Sequence, residues 1–126
     1  MFLRLNGFKA VNDRLGHAAG DRLLAELGQR LDRSLRSTNA VARIGGGEFV
    51  PLMEDASRNG ALALANRICE LMDTGTTADG QPAHIKVSIG VSFFPRDGDT
   101  VDRLLSTADW AMYEAKRSGR PVVVIP

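Results

Sequence analysis

His84-Ile-Lys-Val-Ser-Ile-Gly-Val-Ser-Phe93 is the stretch that decides the fold. Its apolar residues Ile85, Val87, Ile89, Val91 and Phe93 fall on every second position, with His84, Lys86, Ser88, Gly90 and Ser92 between them. Side chains alternate across a strand, so strict period two predicts a β-strand with one buried face. On either side of it the period changes. Ala61, Ala65, Ile68 and Met72 predict an amphipathic helix over residues 57–72, and Leu104, Ala108, Ala111, Met112 and Ala115 predict another over 101–117. Leu24, Leu27, Leu31 and Leu35 predict a third over 21–36, for which Asp21 is a candidate N-terminal cap.

Shorter pieces fill the gaps. Residues 1–5 read as a strand ending before Gly7, and 8–15 as a short helix ending at Gly16. Residues 40–44 and 48–53 read as strands flanking Gly45-Gly46-Gly47, where consecutive glycines permit the positive φ of a tight hairpin. Pro51 lacks an N–H for the ladder, which predicts a bulge or an early end to pairing there. Residues 74–82 read as a polar loop turning at Asp79-Gly80, and 122–125 as a last strand. The order β-α-α-β-β-α-β-α-β predicts an α/β domain of the α+β type. Its five-stranded, mostly antiparallel sheet would stand on a βαββαβ core flanked by helices.

Length and composition bound the rest. The chain has 126 residues, the size of one domain. A formal net charge of +1 argues against nucleic acid as partner, since phosphate-binding surfaces show a strong basic excess. Cys69 is the single cysteine and has no partner for an internal disulfide, which suits a reducing cytoplasm. No apolar run approaches the roughly 20 residues that span a bilayer, and Arg4 and Lys9 interrupt the first apolar stretch, so neither membrane contact nor a signal peptide is expected.

Five motifs carry chemistry. They are Asn6-Gly-Phe-Lys9 with Val11-Asn-Asp13; Gly16-His-Ala-Ala-Gly-Asp21; Arg43-Ile-Gly-Gly-Gly-Glu-Phe49; Val87-Ser-Ile-Gly-Val91; and Ala108-Asp-Trp-Ala-Met-Tyr-Glu-Ala-Lys-Arg-Ser-Gly-Arg120. In this order and at these spacings they resemble the GGDEF family of bacterial diguanylate cyclases, over nearly the whole chain. The resemblance implies a fold like the palm of nucleotide cyclases. It lacks the family's leading helix and Asp-x-Leu-Thr segment, so the chain is expected to be a trimmed piece, or one module, of a longer signalling protein.

In that family two GTP-loaded domains face each other, and each ribose 3′-hydroxyl attacks the other's α-phosphate to give cyclic di-GMP. Mg²⁺ assists, held by carboxylates from the first strand and from the hairpin, as a hard cation requires. Here the resemblance places Arg4 and Asn6 on the two aspartates of Asp-x-Asp-x-Phe-Lys, and Gly47 on the hairpin aspartate. Glu48 alone keeps a carboxylate, vestigial in this reading. The expectation is a degenerate domain without metal ligands and without cyclase activity.

The nucleotide-binding matches survive better. The resemblance implies that Asn12 and Asp21 meet the guanine edge, that Phe8 and Lys9 lie where the backbone wraps the phosphates, and that Gly45 and Gly46 let the hairpin approach the nucleotide. Lys116 and Arg120 match a phosphate-binding pair, His17 is a candidate ribose or phosphate contact, and Arg36 and Asn39 match the Arg-x-x-Asp product-inhibition site with its carboxylate changed to an amide. Arg4 is expected to meet phosphate in place of a metal, or Glu48 when the site is empty.

Plainer readings stand beside these. Asn12 and Asp13 suit a turn, and Lys116 and Arg120 suit a helix C-terminus. His17 and Arg4 suit a solvated surface, and Cys69 suits helix packing. Trp110 and Tyr113 suit a helix surface or a partner contact. The expected function is a regulatory or GTP-sensing module in cyclic di-GMP signalling, with GTP the favoured ligand over cyclic di-GMP, a homodimer allowed, and an EAL or sensor domain as neighbour. The alternatives are an active diguanylate cyclase with relocated metal ligands and a ligand-free dimerisation scaffold.

Overall fold

The computed structural model describes residues 1–35, 39–55, 57–73 and 77–124. The elements are β1 (Phe2–Asn6), α1 (Phe8–Leu15), α2 (His17–Ser34), β2 (Ala40–Gly45), β3 (Glu48–Leu52), α3 (Arg58–Asp73), β4 (Thr77–Ala78), β5 (Gln81–Pro82), β6 (Lys86–Val91), α4 (Val101–Ser118) and β7 (Val122–Val124). Five strands form one sheet in the order β2-β3-β1-β6-β7. Every neighbouring pair is antiparallel except β6 with β7, which are parallel and joined through α4, the long crossover such a pair requires. This is the mixed α+β architecture with a mostly antiparallel five-stranded sheet that the periodicities predict.

Leu3 and Leu5 of β1, Phe49 of β3 and Ile89 and Val91 of β6 bury one face against Leu23, Leu27 and Leu31 of α2 and Ala65, Ile68 and Met72 of α3. The expectation of one buried face for β6 is too narrow, because Ser88 and Gly90 are buried as well. Gly90 lies so close to the α4 backbone at Ala108 and Met112 that a Cβ would overlap it. Small residues on that face let a helix press against the strand, and a count of apolar residues misses them. Phe2, Ala108 and Met112 form the core of this second layer.

Four local expectations change. Helix α2 begins at His17 with Gly16 at its N-cap, so Asp21 lies inside the helix, exposed, and does not cap it. The early start comes from Ala19 and Gly20, small buried residues that a stripe of leucines does not reveal.

Pro51 causes no bulge and pairs in register with Val41, while pairing with β1 ends earlier, at Phe49. The Pro51 carbonyl accepts from the Met1 amino terminus at 2.9 Å, which shows that its backbone faces the β1 side beyond the last rung of that ladder. The register shift lies between Arg43 and Gly45 instead, leaving Ile44 as the extra residue. None of Gly45, Gly46 and Gly47 adopts a positive φ, so that bulge, not left-handed glycine, closes the hairpin. Finally, the region read as a polar loop contains the β4–β5 hairpin, whose turn residues Asp79 and Gly80 have φ of 50° and 78°, the mirror-image turn that hairpins favour.

Candidate functional site

Arg4 and Glu48 stand directly opposite in the β1–β3 ladder, so their side chains leave the same face of the sheet. By alternation from Phe2, that face is the one α4 covers farther along. Arg4 Nη2 donates to Glu48 Oε1 at 2.8 Å. The side chains keep 42% and 29% exposure, so solvent screens the pair and its stabilising effect is modest, about 0–1 kcal/mol.

Gly47 faces β1 across the hairpin. Its carbonyl accepts from the Leu5 N–H at 2.8 Å, and a Cβ built on it would lie 2.7 Å from the Leu5 carbonyl oxygen. The hairpin has closed onto β1, into the space where a side chain at this position would begin. Among the described residues no three His, Cys, Asp or Glu side chains converge as a metal site would need. A guanidinium on the Glu48 carboxylate and a glycine with no room for a Cβ do not fit a Mg²⁺ ion, which wants oxygen ligands.

Beside this pair lies a cleft of about 530 Å³, bounded by the end of β1, the start of β6, the last turns of α3 and the C-terminus of α4. Asn6, Lys86, Ser88, Lys116 and Arg120 line it, with Cys69 and Glu70 from α3. It therefore brings together the two candidate phosphate cations and Asn6, which the resemblance places on the second aspartate of Asp-x-Asp-x-Phe-Lys. Asn6 Nδ2 donates to Ser88 Oγ at 3.4 Å, a long bond. Lys116 and Arg117 fall in the last turn of α4, whose end is capped by Gly119 at φ 74°. Cys69 is half-buried, and burial pushes its thiol up to about 11, which leaves it a poor nucleophile. Motif matching passes over Lys86; strand register is the signal that finds it, since Lys86 is the ladder partner of Asn6.

The guanine candidates lie elsewhere, on α1 and the start of α2, and none lines this cleft. Phe8 opens α1 behind Gly7, at φ 110°, and packs against the main core, while Lys9 is exposed. The Asn12 amide packs on Gly20 of α2, where any Cβ would overlap it. Its Oδ1 is buried against Gly20 and has no hydrogen-bond partner among the described residues. His17 and Asp21 are exposed one turn apart on α2. Asn39 Oδ1 accepts from the Glu54 N–H at 3.4 Å and so ties the start of β2 to the end of β3. Its companion Arg36 lies outside the described residues. Trp110 and Tyr113 are exposed on α4, at 56% and 59%.

Comparison with known proteins places this geometry. The family described as "Diguanylate cyclase, GGDEF domain" matches residues 1–121. The bifunctional diguanylate cyclase/cyclic di-GMP phosphodiesterase MucR of Pseudomonas aeruginosa is 40% identical over 120 residues, which are 95% of this chain and 18% of MucR. The diguanylate cyclase TpbB of the same species is 41% identical over 122 residues, 95% of this chain and 28% of TpbB. This chain thus spans less than a third of either protein's length. The crystal structure of the GGDEF domain of TpbB superposes with a TM-score of 0.90 at 38% identity, covering 99% of this chain and 80% of that one. With this fold and the matched motifs, the chain belongs to the GGDEF, or diguanylate cyclase, family.

Proposed function

We propose that this GGDEF domain is a guanine-nucleotide-responsive regulatory module that does not condense GTP. One observation carries the reading: the Arg4–Glu48 ion pair at 2.8 Å, which sets a fixed cation against the carboxylate nearest the expected metal position. A metal-dependent attack on an α-phosphate needs an ion held at that point to neutralise charge. The closed hairpin at Gly47 supports the same reading, because restoring a carboxylate there requires the backbone to move. The exposed Asp21 carboxylate, one turn after His17 at the start of α2, supports a retained guanine end.

In this reading the domain binds GTP through α1, α2 and the cationic cleft, and reports occupancy to neighbouring domains of a longer protein in the cytoplasm. An EAL phosphodiesterase or a sensor domain is the proposed neighbour. MucR, a bifunctional cyclase and phosphodiesterase, and the cyclic di-GMP phosphodiesterase NbdA, 38% identical over 120 residues, are relatives consistent with that setting.

The test is incubation with GTP and Mg²⁺ or Mn²⁺, followed by chromatography, alongside calorimetry with GTP in EDTA. Saturable binding in EDTA that weakens in Arg4→Ala, with no cyclic di-GMP formed, is the expected result. Formation of cyclic di-GMP would refute the proposal in favour of an active cyclase. Absence of any GTP binding would refute it in favour of a ligand-free scaffold.

A further inference from the structure

The cleft at the C-terminus of α4 holds a third cation, which the motif comparison does not use. Lys86 is the first residue of β6 and the direct ladder partner of Asn6. Paired residues share a face, and Asn6 reaches Ser88 on that face, so Lys86, Ser88 and Asn6 point the same way. All three line the cleft with Lys116 and Arg120. The side chains of Lys86 and Lys116 are exposed and enter no hydrogen bond or ion pair among the described residues. Among the described residues the Arg120 guanidinium hydrogen-bonds the Ser118 hydroxyl, at 3.4 Å, and its charge also acts on Glu114, which already pairs with Arg117. Among the described residues Glu70 is the one carboxylate on the wall.

A cleft with three cations against one carboxylate, and with an amide and a hydroxyl joined by a single long bond, is built to receive an anion of several charges. The charge of Arg4, by contrast, is matched by Glu48. The cation surplus of this end of the sheet therefore resides in Lys86, Lys116 and Arg120. Each can donate charge-assisted hydrogen bonds to phosphate oxygens, Lys as a point charge and Arg as a fork.

We propose that Lys86 completes a three-cation site with Lys116 and Arg120 that takes the polyphosphate of a nucleotide free of metal. The proposal deepens the reading of this cleft as the phosphate end of a guanine-nucleotide site and rests on it for the identity of the nucleotide. The divalent ion's work of offsetting phosphate charge passes to side chains. Mg²⁺ then competes with the protein for the polyphosphate instead of bridging the two.

The experiment is calorimetry with inorganic tripolyphosphate, GTP and ATP, in EDTA and in excess Mg²⁺, on the wild type and on Lys86→Met, Lys86→Arg and Arg33→Gln. Loss of one charge-assisted contact predicts about tenfold weaker binding of tripolyphosphate and of GTP to Lys86→Met in EDTA. Lys86→Arg restores binding, and Arg33→Gln, which removes an exposed charge on α2, stays within about twofold of wild type. Excess Mg²⁺ weakens tripolyphosphate binding. The proposal is overturned if Lys86→Met binds like Arg33→Gln, if affinity rises when Mg²⁺ replaces EDTA, or if neither polyphosphate binds. If GTP binds no tighter than ATP while Lys86→Met still weakens both, the three-cation site stands and the guanine reading falls.

Discussion

Gly47→Ala isolates the closure of the hairpin onto β1, and its sign alone decides. At a glycine whose φ is accessible to other residues, as at Gly47, alanine normally stabilises by about 0.4–1 kcal/mol through the unfolded chain. Against this, the new Cβ would lie 2.7 Å from the Leu5 carbonyl oxygen, a backbone atom that cannot swing aside. Relief requires the hairpin to lift, which weakens the 2.8 Å bond from Leu5 N–H to the Gly47 carbonyl, a loss of about 0.5–1.5 kcal/mol. Overpacking of this kind adds roughly 1–3 kcal/mol. The net is a destabilisation of roughly 0.5–4 kcal/mol, or a midpoint lowered by roughly 2–20 °C for a chain of this size. Gly46→Ala is the internal comparison. Nothing lies within 4 Å of a Cβ there, so it leaves the midpoint unchanged or raised. Thermal unfolding followed by circular dichroism measures both. A Gly47→Ala midpoint at or above wild type would show that the hairpin is not closed on β1.

Three further outcomes follow from the packing and titration described. Gly90→Ala places a methyl group in the α4 backbone at Ala108 and Met112 and should cost about 3 kcal/mol or more, read as a lower midpoint in urea; an unchanged midpoint would mean that α4 does not press on β6. Burial pulls the Asp97 carboxyl upward, but the Arg96 guanidinium and the Phe93 N–H, which donates to it at 2.7 Å, outweigh this and hold it below its ordinary value. Its stabilisation is therefore present above the ordinary carboxylate range and lost as pH falls through the folded value. Asp97→Ala should cost about 1–3 kcal/mol at pH 7, and its deficit should narrow below about pH 4, as midpoints at both pH values will show. Cys69, with its thiol near 11, should react with iodoacetamide far more slowly at pH 8 than a free cysteine, because the fraction present as thiolate falls about tenfold for each step of one in pKa; labelling at the free rate, followed by mass spectrometry, would contradict its burial.

Periodicity finds the large elements because large apolar side chains announce them. Ile85 to Phe93 mark a strand, and the leucine and alanine stripes mark three helices. It fails where small residues do the packing. Ala19 and Gly20 start α2 a turn early, and Ser88 and Gly90 turn the second face of β6 into core. Pro51 reads as a defect because a sequence does not show which side of a strand its missing N–H faces.

At the site, the Arg4–Glu48 contact is legible once both residues are placed on neighbouring strands, whereas the closure at Gly47 is not. That closure depends on a carbonyl position one strand away. Lys86 is invisible to motif matching because its relation to Asn6 exists only through register.

Strand β1 is a two-sided ruler at the centre of the sheet. Its odd positions, Leu3 and Leu5, pack on α2 and α3, while on the even side Phe2 packs under α4 and Arg4 and Asn6 face the ion pair and the cleft. The pleat insulates one set from the other. A different charge at position 4 would leave Leu3 and Leu5 packed as they are, so what this face does is separable from what holds the fold together. A domain of this kind can change its occupation without changing its shape.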